Sequence, residues 1–426
     1  MLLPQPKQNT GSLPAYLRYL ACLAWLAALL APAAWAQSPD PTRDDLRFVL
    51  AVTEQDPDLE WWSSIPSEAR PHINPIGEIT WGQQVSILPA FLGYARSEAG
   101  KVDLSYDVTI TAPDGSEYAA MEGIRGYSKP VTGEYVLPPA DLVQLAFKQG
   151  KDPAGTYTIT VTAHDGISGQ SHTEQQQLQL RPFQFAVEEP NFDRWYLEYP
   201  NKPRPEQALY YLANLPDLLI NGDGSPNWAS AWLFKTIYED NPFLIEPTVD
   251  FYQNQDPDAV QQTNIILVLA LLGQSDRLPI DEQQKAFRNR IADLSPPDGY
   301  SEITTPEQLD VLWAEYFATG KVRPVRQLIT ALNLMKSSEP VGKIQAAALR
   351  DEMQQLAAAD DATALRSITF KTALWSINSN LRQSQLFFDY CVFLYQKDQL
   401  NHTEGGLLQE MLKRVIQEKQ AAARAQ

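Results

Sequence analysis

Histidines are the side chains in this sequence best suited to bind a metal ion. There are four: His72, His164, His172 and His402. None belongs to a His-Glu-x-x-His motif or to a Cys/His cluster with zinc-site spacing. His164 and His172 flank one turn and could face each other across a hairpin, but a third ligand is missing and zinc needs three or four. We therefore expect no metal and no cofactor.

A short polar segment, 221–225, has the composition of a calcium-binding loop, Asn-Gly-Asp-Gly-Ser. Such loops need a glycine at their sixth position and a bidentate glutamate at their twelfth. Pro226 and Trp232 occupy those two positions here. The segment is therefore predicted to be a helix end followed by a loop.

Nucleophiles in a recognisable catalytic setting are absent from the sequence. It contains no Gly-x-Ser-x-Gly and none of the glycine-rich phosphate-binding motifs. Cys391 lies in an aromatic-rich helical segment, 387–394, whose apolar surroundings would raise the thiol pKa. It is predicted to be buried and inert, even if His402 comes close. No catalytic residue is nominated.

Two groups of aromatic residues form the candidate binding surface. In the first group Trp61 and Trp62 follow Glu60, and rings beside a carboxyl would suit a sugar-binding cleft. Hydrolysis there would depend on a carboxylate separation that sequence does not give. The second group would either hold two domains together or line an exposed groove for a peptide or glycan. The candidate surface residues are Trp61, Trp62, Trp195, Tyr196 and Tyr199.

The charge balance excludes one class of partner. The chain has 426 residues, enough for two or three domains, and a formal net charge of −18. Nucleic acids and anionic membrane surfaces attract clustered Lys and Arg, which this sequence lacks. We therefore expect no nucleic-acid partner.

The first 36 residues have the three-part pattern of a secretory signal peptide. Lys7 and Arg18 supply the basic region, residues 19–30 the apolar region, and Ala34-Trp35-Ala36 the cleavage motif. The sequence predicts cleavage after Ala36 and export, with the periplasm as the destination. Secretion beyond it and an uncleaved anchor are the alternatives.

After this signal the sequence predicts a polar, disordered leader over residues 37–45. No later segment is predicted to span a membrane. The apolar run Ile265–Leu272 is far shorter than the ~20 residues a bilayer requires. It is predicted to be a central buried helix.

Residues 46–182 are predicted to form an antiparallel β-sandwich. Apolar and polar residues alternate in 102–111 and 155–163, and Pro113-Asp114-Gly115 is a strong hairpin turn. The segment 152–161 resembles the penultimate strand of immunoglobulin-like domains, in which a tyrosine sits near the corner where the strand begins. That resemblance implies an immunoglobulin-like fold, with Tyr157 at the corner.

The second half is predicted to be all-α. Residues 183–205 are rich in proline and aromatics and are expected to be a docked junction. Over 206–426 the apolar period becomes helical, with short connections that favour helical hairpins in a bundle or an irregular α-solenoid. The clearest hairpin is Thr305–Leu332, where Gly320 ends the first helix and Trp313 is expected to be buried.

The overall layout resembles exported bacterial proteins of uncharacterised activity that carry an immunoglobulin-like sandwich followed by an α-helical domain. The likeness lies in the order of signal, sandwich and helices, and in phrases such as Val-Thr-Ile-Thr-Ala-Pro-Asp-Gly at 108–115 and Trp-Ser-Ile-Asn-Ser-Asn at 375–380. It implies export and a two-part architecture, and it implies no activity.

These observations lead to three hypotheses of function. The first is a non-enzymatic envelope protein that acts as a binding or scaffold module for another envelope protein or a cell-wall component. The second is a periplasmic hydrolase of a glycan or peptide, with carboxylates near the domain junction. The third is a purely structural protein.

Overall fold

The structure is a computed structural model that describes residues 45–53, 62, 73–131, 136–214, 220, 226–334, 345–357, 362–397 and 400–424. Several predicted features lie outside these residues. They are the signal peptide, the leader up to residue 44, Glu60, Trp61, His72 and the polar loop 221–225.

Among the described residues, eight strands form two sheets. One sheet has three strands in the order β1-β3-β6, and the other has five in the order β2-β8-β7-β4-β5. The strands are β1 (Arg47–Thr53), β2 (Glu78–Thr80), β3 (Gln84–Leu92), β4 (Leu104–Thr111), β5 (Glu117–Tyr127), β6 (Val143–Ala146), β7 (Gly155–Asp165) and β8 (Ser171–Arg181).

The two sheets share one hydrophobic cluster, and the alternating residues supply it as predicted. Along β4 and β7 every second side chain is buried, and the polar residues between them are only partly covered. Tyr157 is fully buried, and its hydroxyl donates to the Pro153 carbonyl oxygen at 3.1 Å. One expectation is wrong: β2 pairs with β8 in parallel, so the five-stranded sheet is mixed and not purely antiparallel.

Strand β3 is buried on both of its faces. Val85, Ile87 and Phe91 belong to the cluster shared by the two sheets. Leu88 and Ala90 point the other way and belong to the cluster built by the helices. The three-stranded sheet therefore lies between the five-stranded sheet and the helical part of the chain.

Pro89 sits in this central strand where its missing N–H costs no hydrogen bond. Strand β6 pairs with β3 only as far as Ile87, and Phe91 then exchanges two backbone hydrogen bonds with Leu137, at 2.9 and 3.0 Å. Residues two apart direct their N–H groups to the same side. Pro89 thus falls in the gap between two paired segments, which is where proline is tolerated.

Twelve α-helices follow among the described residues. They are α1 (Phe192–Glu198), α2 (Ala208–Asn214), α3 (Trp228–Asp240), α4 (Ile245–Asn254), α5 (Ala259–Leu271), α6 (Glu282–Ala292), α7 (Pro306–Thr319), α8 (Val322–Thr330), α9 (Ala346–Ala357), α10 (Ala362–Gln383), α11 (Gln385–Gln396) and α12 (His402–Arg424). None of the described helices is long and apolar enough to cross a bilayer.

The helical pattern located all of these helices except α1, which lies inside the junction. Its seven residues are too few to show a period, and Asn191 begins it by accepting a hydrogen bond from the Arg194 N–H. At the start of α5, Asp258 is the N-cap residue and accepts from two backbone N–H groups.

The hairpin of α7 and α8 has the predicted form. Gly320 adopts φ 64° at the end of α7, and the Gln308 side chain accepts from the Thr305 N–H at 3.1 Å. Trp313 is only 8% exposed, and its indole N–H donates to the Ser376 hydroxyl at 3.1 Å. Cys391 is fully buried, and burial raises its pKa well above the usual value, as predicted for an inert thiol.

The Pro200 carbonyl is the point at which three parts of the chain meet. It accepts a hydrogen bond from the Asn74 side chain at 3.0 Å. A Cβ atom placed on Gly320 would lie only 2.8 Å from the same oxygen. The segment before β2, the junction and the α7–α8 turn are therefore packed against one another at this point.

The variant Gly320→Ala tests this contact, with Gly273→Ala as its matched control. Both glycines have positive φ, 64° and 67°, after a helix, but Gly273 has nothing within 4 Å of an added Cβ. Each alanine should cost about 1–2 kcal/mol for the left-handed backbone. Gly320→Ala should lose a further ~1–3 kcal/mol through crowding of the Pro200 carbonyl. The free energy of unfolding is measured in urea, and equal losses in the two variants would contradict the packing of Gly320 against the Pro200 carbonyl.

Candidate functional site

A cleft opens beside the junction and is the candidate site. Its volume is about 630 Å³, which is within the range of small-molecule and short-chain ligand sites. Three segments line it: 73–80 with Gln83, 181–186, and 201–207. They belong to the approach to β2, the chain leaving β8 and the end of the junction.

Backbone hydrogen bonds fix the first wall of the cleft. The Ile76 N–H donates to the Val52 carbonyl at 2.8 Å, and the Gly77 carbonyl accepts from the Gln179 N–H at 2.7 Å. These bonds tie the segment before β2 to both sheets. The parallel pairing of β2 with β8 then places Thr80 opposite Arg181, where β8 ends and the second wall begins.

An ion pair joins the first two walls. The Arg181 guanidinium lies 2.9 Å from the Glu78 carboxylate, and the two side chains are 56% and 60% exposed. An exposed pair of this kind contributes only ~0–1 kcal/mol to stability. The pair matters for binding, because it presents a cation and an anion to a ligand in the cleft.

Glu206 provides a second carboxyl from the third wall. Burial raises its pKa above the usual glutamate value, the nearby Arg204 charge opposes this shift, and Glu78 adds to it. Glu206 therefore holds a proton more readily than an ordinary glutamate does. A protonated carboxyl can donate a hydrogen bond to a ligand or act as a general acid.

The Thr80 hydroxyl has an unmet hydrogen-bonding capacity. Thr80 lines the cleft, its residue is only 5% exposed, and its Oγ1 atom has no hydrogen-bond partner among the described residues. A buried polar group left unpaired costs about 1–3 kcal/mol. A polar ligand or a water molecule in the cleft would remove that cost.

The predicted aromatic surface is largely interior. Trp62, Trp195 and Tyr199 are 5%, 6% and 1% exposed and belong to the helical hydrophobic cluster. Tyr196 is half-buried, and its ring centroid lies 4.2 Å from that of Phe317. Burial raises the Tyr196 pKa well above its usual value.

These positions agree with the first role considered for the second aromatic group, that of holding the two parts together. Trp195 also supports the cleft from behind, since its indole N–H donates to the Arg204 carbonyl at 3.2 Å. A ligand-binding role for these rings stays a prediction.

The polar cleft residues were missed by sequence reasoning. Glu78, Arg181 and Glu206 are far apart in the chain and belong to no motif. The proline- and aromatic-rich composition of 183–205 was the one signal that pointed to this region. It indicated a docked junction and gave no information about which polar groups border it.

The histidine pair has a different arrangement from the one expected. Within the β7–β8 hairpin His164 is opposite Ser171, and His172 is opposite Ala163. Neighbouring residues on a strand point to opposite faces, so the two histidines do not face each other. Across the described ranges there is no group of three or more side chains arranged to hold a metal ion.

Comparisons with known proteins give only weak structural likenesses. No protein-family model and no curated protein sequence matches the chain. An immunoglobulin-like protein from Pseudomonas aeruginosa is similar at 14% identity and a TM-score of 0.18, over 32% of this chain and 97% of that one.

Two larger structures are similar over most of this chain. A polysaccharide lyase matches at 12% identity and a TM-score of 0.18, over 86% of this chain and 47% of its own. An Escherichia coli alpha-2-macroglobulin matches at 10% identity and a TM-score of 0.17, over 87% of this chain and 37% of its own. This chain thus spans less than half the length of either protein, and such likenesses assign it neither family nor activity.

Thr80→Val is predicted to stabilise the unliganded protein, because it removes an unpaired hydroxyl and keeps the shape of the side chain. We expect a gain of about 1 kcal/mol in the free energy of unfolding. Thr372→Val is the matched control, since Thr372 is also buried, has an unpartnered hydroxyl and lies on α10 away from the cleft. Urea denaturation measures both variants, and a loss of stability in Thr80→Val would show that the hydroxyl is already satisfied.

Proposed function

We propose that this chain is an exported envelope protein that acts as a non-enzymatic binding or scaffold module, and that its ligand occupies the cleft beside the junction. The observation that carries the proposal is the set of polar groups that converge there. A buried hydroxyl without a partner, an ion pair and a carboxyl of raised pKa line one concave space. Recognition sites are typically concave and carry a few such directed polar groups.

The ligand is expected to be polar and to come from the cell envelope. The predicted signal peptide directs the chain to the periplasm. The cleft offers Arg181, Lys202 and Arg204 with Glu78 and Glu206, in a chain that otherwise has a large acidic excess. A cell-wall peptide or glycan strand, or a segment of another envelope protein, has the charged and hydroxyl groups to match this mixed lining.

The proposed architecture is an immunoglobulin-like β-sandwich over 46–182, the docked junction over 183–205, and a helical bundle or irregular α-solenoid over 206–426. Two features support the sandwich. The two sheets share a hydrophobic cluster, and the hydrogen bond from Tyr157 to the carbonyl four residues upstream has the form of a tyrosine corner. Short connections between successive helices support the second part.

The raised pKa of Glu206 favours a second candidate, a hydrolase of glycan or peptide. Glycoside hydrolysis uses one carboxyl that keeps its proton and a second that is ionised. Glu206 would be the general acid that protonates the leaving oxygen. Glu78, which pairs with Arg181, would be the base or nucleophile. A purely structural role is the third candidate and requires no ligand in the cleft.

Binding and turnover assays with purified peptidoglycan sacculi separate the three candidates. The protein without its signal peptide is co-sedimented with sacculi, and the supernatant is analysed for released muropeptides by mass spectrometry. A binding module should co-sediment and release nothing. Arg181→Ala should weaken binding about tenfold, since a charge-assisted contact contributes ~1.5–3 kcal/mol. Arg125→Ala is the control, because it breaks another exposed arginine–carboxylate pair, with Asp141, that lies outside the cleft.

Glu206→Gln distinguishes binding from catalysis. It keeps the shape and hydrogen-bonding capacity of the side chain but cannot donate a proton as an acid. A binding module should retain its affinity for sacculi within a few-fold. A hydrolase should lose product release by ~100-fold or more. Absence of binding to sacculi in every form of the protein, with no product, would refute both a cell-wall ligand and the hydrolase.

A further inference from the structure

We infer that Ser171 carries an activated hydroxyl that can be acylated by an activated ester or phosphonylated by a fluorophosphonate. His164 is its base, and Asp107 positions that base. Ser171 Oγ lies 2.9 Å from His164 Nδ1. The other ring nitrogen, His164 Nε2, lies 2.8 Å from Asp107 Oδ2. A nucleophile, a base and an orienting carboxylate are thus joined by two hydrogen bonds in series.

The strand register brings these three residues together. Ser171 on β8 is directly opposite His164 on β7, and His164 is opposite Ser105 on β4. Asp107 lies two residues further along β4, on the same outward face, which is within reach of a long or aromatic side chain on the neighbouring strand. The arrangement therefore rests on paired strands in the middle of the sheet and does not depend on loops.

The partners also determine where the protons lie. An ionised carboxylate only accepts hydrogen bonds, so neutral His164 must carry its proton on Nε2. Nδ1 is then unprotonated and accepts from the Ser171 hydroxyl. This is the tautomer in which the imidazole can remove the serine proton.

Asp107 is held as an anion in a fixed orientation. Partial burial acts to raise its pKa, but the hydrogen bond from the Gly123 N–H and the contact with His164 outweigh burial and lower the pKa overall. The Gly123 N–H donates to Oδ1 at 2.8 Å and leaves Oδ2 to the histidine. Gly123 has φ 64°, a left-handed conformation that favours glycine at this irregularity in β5.

The group is open to reagents. The His164 and Asp107 side chains are 38% and 35% exposed, and Ser171 is an exposed residue. The face carries hydroxyl and amide side chains on β7 and β8. Such an open face suits a single acyl transfer to the serine.

Transfer to Ser171 needs only the donor, the serine and the histidine. Ser171 Oγ attacks the carbonyl carbon of an activated ester, or the phosphorus of a fluorophosphonate, and forms a new O–C or O–P bond. Its proton passes to His164 Nδ1. The bond to the leaving group breaks, and the departing phenolate or fluoride takes the bonding electron pair. The imidazolium then releases its proton to water.

A biotinylated fluorophosphonate tests the inference on the intact folded protein, with peptide mapping to locate the label. Ser171 should be labelled at least 100-fold faster than Ser116, which is the internal control. Ser116 is also an exposed hairpin serine, but its hydroxyl donates directly to Asp114 at 2.6 Å and has no histidine. General-base assistance of this kind accelerates a reaction by ~10²–10⁴-fold.

Two variants separate activation of the Ser171 hydroxyl from its simple exposure to the reagent. His164→Gln should reduce the Ser171 labelling rate to that of Ser116. Asp107→Asn should reduce it at least tenfold, because an amide can donate to Nε2 and favour the wrong tautomer. Ser116 should be labelled at the same rate in the wild type and in both variants, and it serves as the internal reference.

Circular dichroism and urea unfolding establish that each variant is folded. Labelling of Ser171 at the rate of Ser116 would overturn the inference, as would a Ser171 rate that His164→Gln leaves unchanged. Ser171 and the cleft residue Arg181 lie at opposite ends of β8, and none of Ser171, His164 and Asp107 lines the cleft, so the outcome of this assay is independent of the proposed cleft function.

Discussion

The burial of strand β3 on both faces is the constraint on which the rest of the structure depends. A strand with one solvated face needs apolar residues only at alternate positions, whereas Val85 to Phe91 is buried without interruption. Its Ile87 side belongs to the core between the sheets, and its Leu88 side belongs to the helical core. Each buried aliphatic side chain contributes ~1.5–3 kcal/mol. Together with its neighbour β1, which places Ala51 in the helical cluster and Val52 in the cluster between the sheets, the strand therefore couples the two hydrophobic clusters.

The cleft lies where this apolar packing gives way to polar groups. Behind it, Trp195 and Tyr199 are buried, and Trp195 holds the Arg204 carbonyl. In front, Thr80 is buried without a partner, and Glu206 has a raised pKa because of burial. Burying a polar group without a hydrogen-bond partner lowers the stability of the folded protein. A polar ligand in the cleft, as the proposed function requires, would satisfy them.

Much of the secondary structure could be predicted from the sequence, because it is encoded locally. The alternation in β4 and β7, the capping residues of α7 and the left-handed Gly320 are all properties of neighbouring residues. Strand β5 was missed because its burial pattern is irregular and it carries register shifts against β4. Helix α1 was missed because seven residues are too short for a helical period.

The sites were less predictable because they are assembled from distant residues. Glu78, Arg181 and Glu206 come together only through the β2–β8 pairing and the docked junction. The histidine hairpin was recognised, but its register was not, so His164 was paired with His172 when it actually faces Ser171. A shift of one residue in register moves every side chain to the opposite face of the sheet. The turn sequence alone did not determine the register of this hairpin.

Through its two buried faces, β3 couples the strand-bearing and helical parts into one cooperative unit. Hydrogen exchange followed by mass spectrometry across a urea series tests it most directly, because each segment is observed separately. Coupling through β3 predicts that β4, β7, α3 and α7 lose protection at the same urea concentration. The variant Leu88→Ala should lower this common midpoint without splitting it into two. Loss of protection in the helices at a urea concentration where β4 and β7 remain protected would contradict the claim.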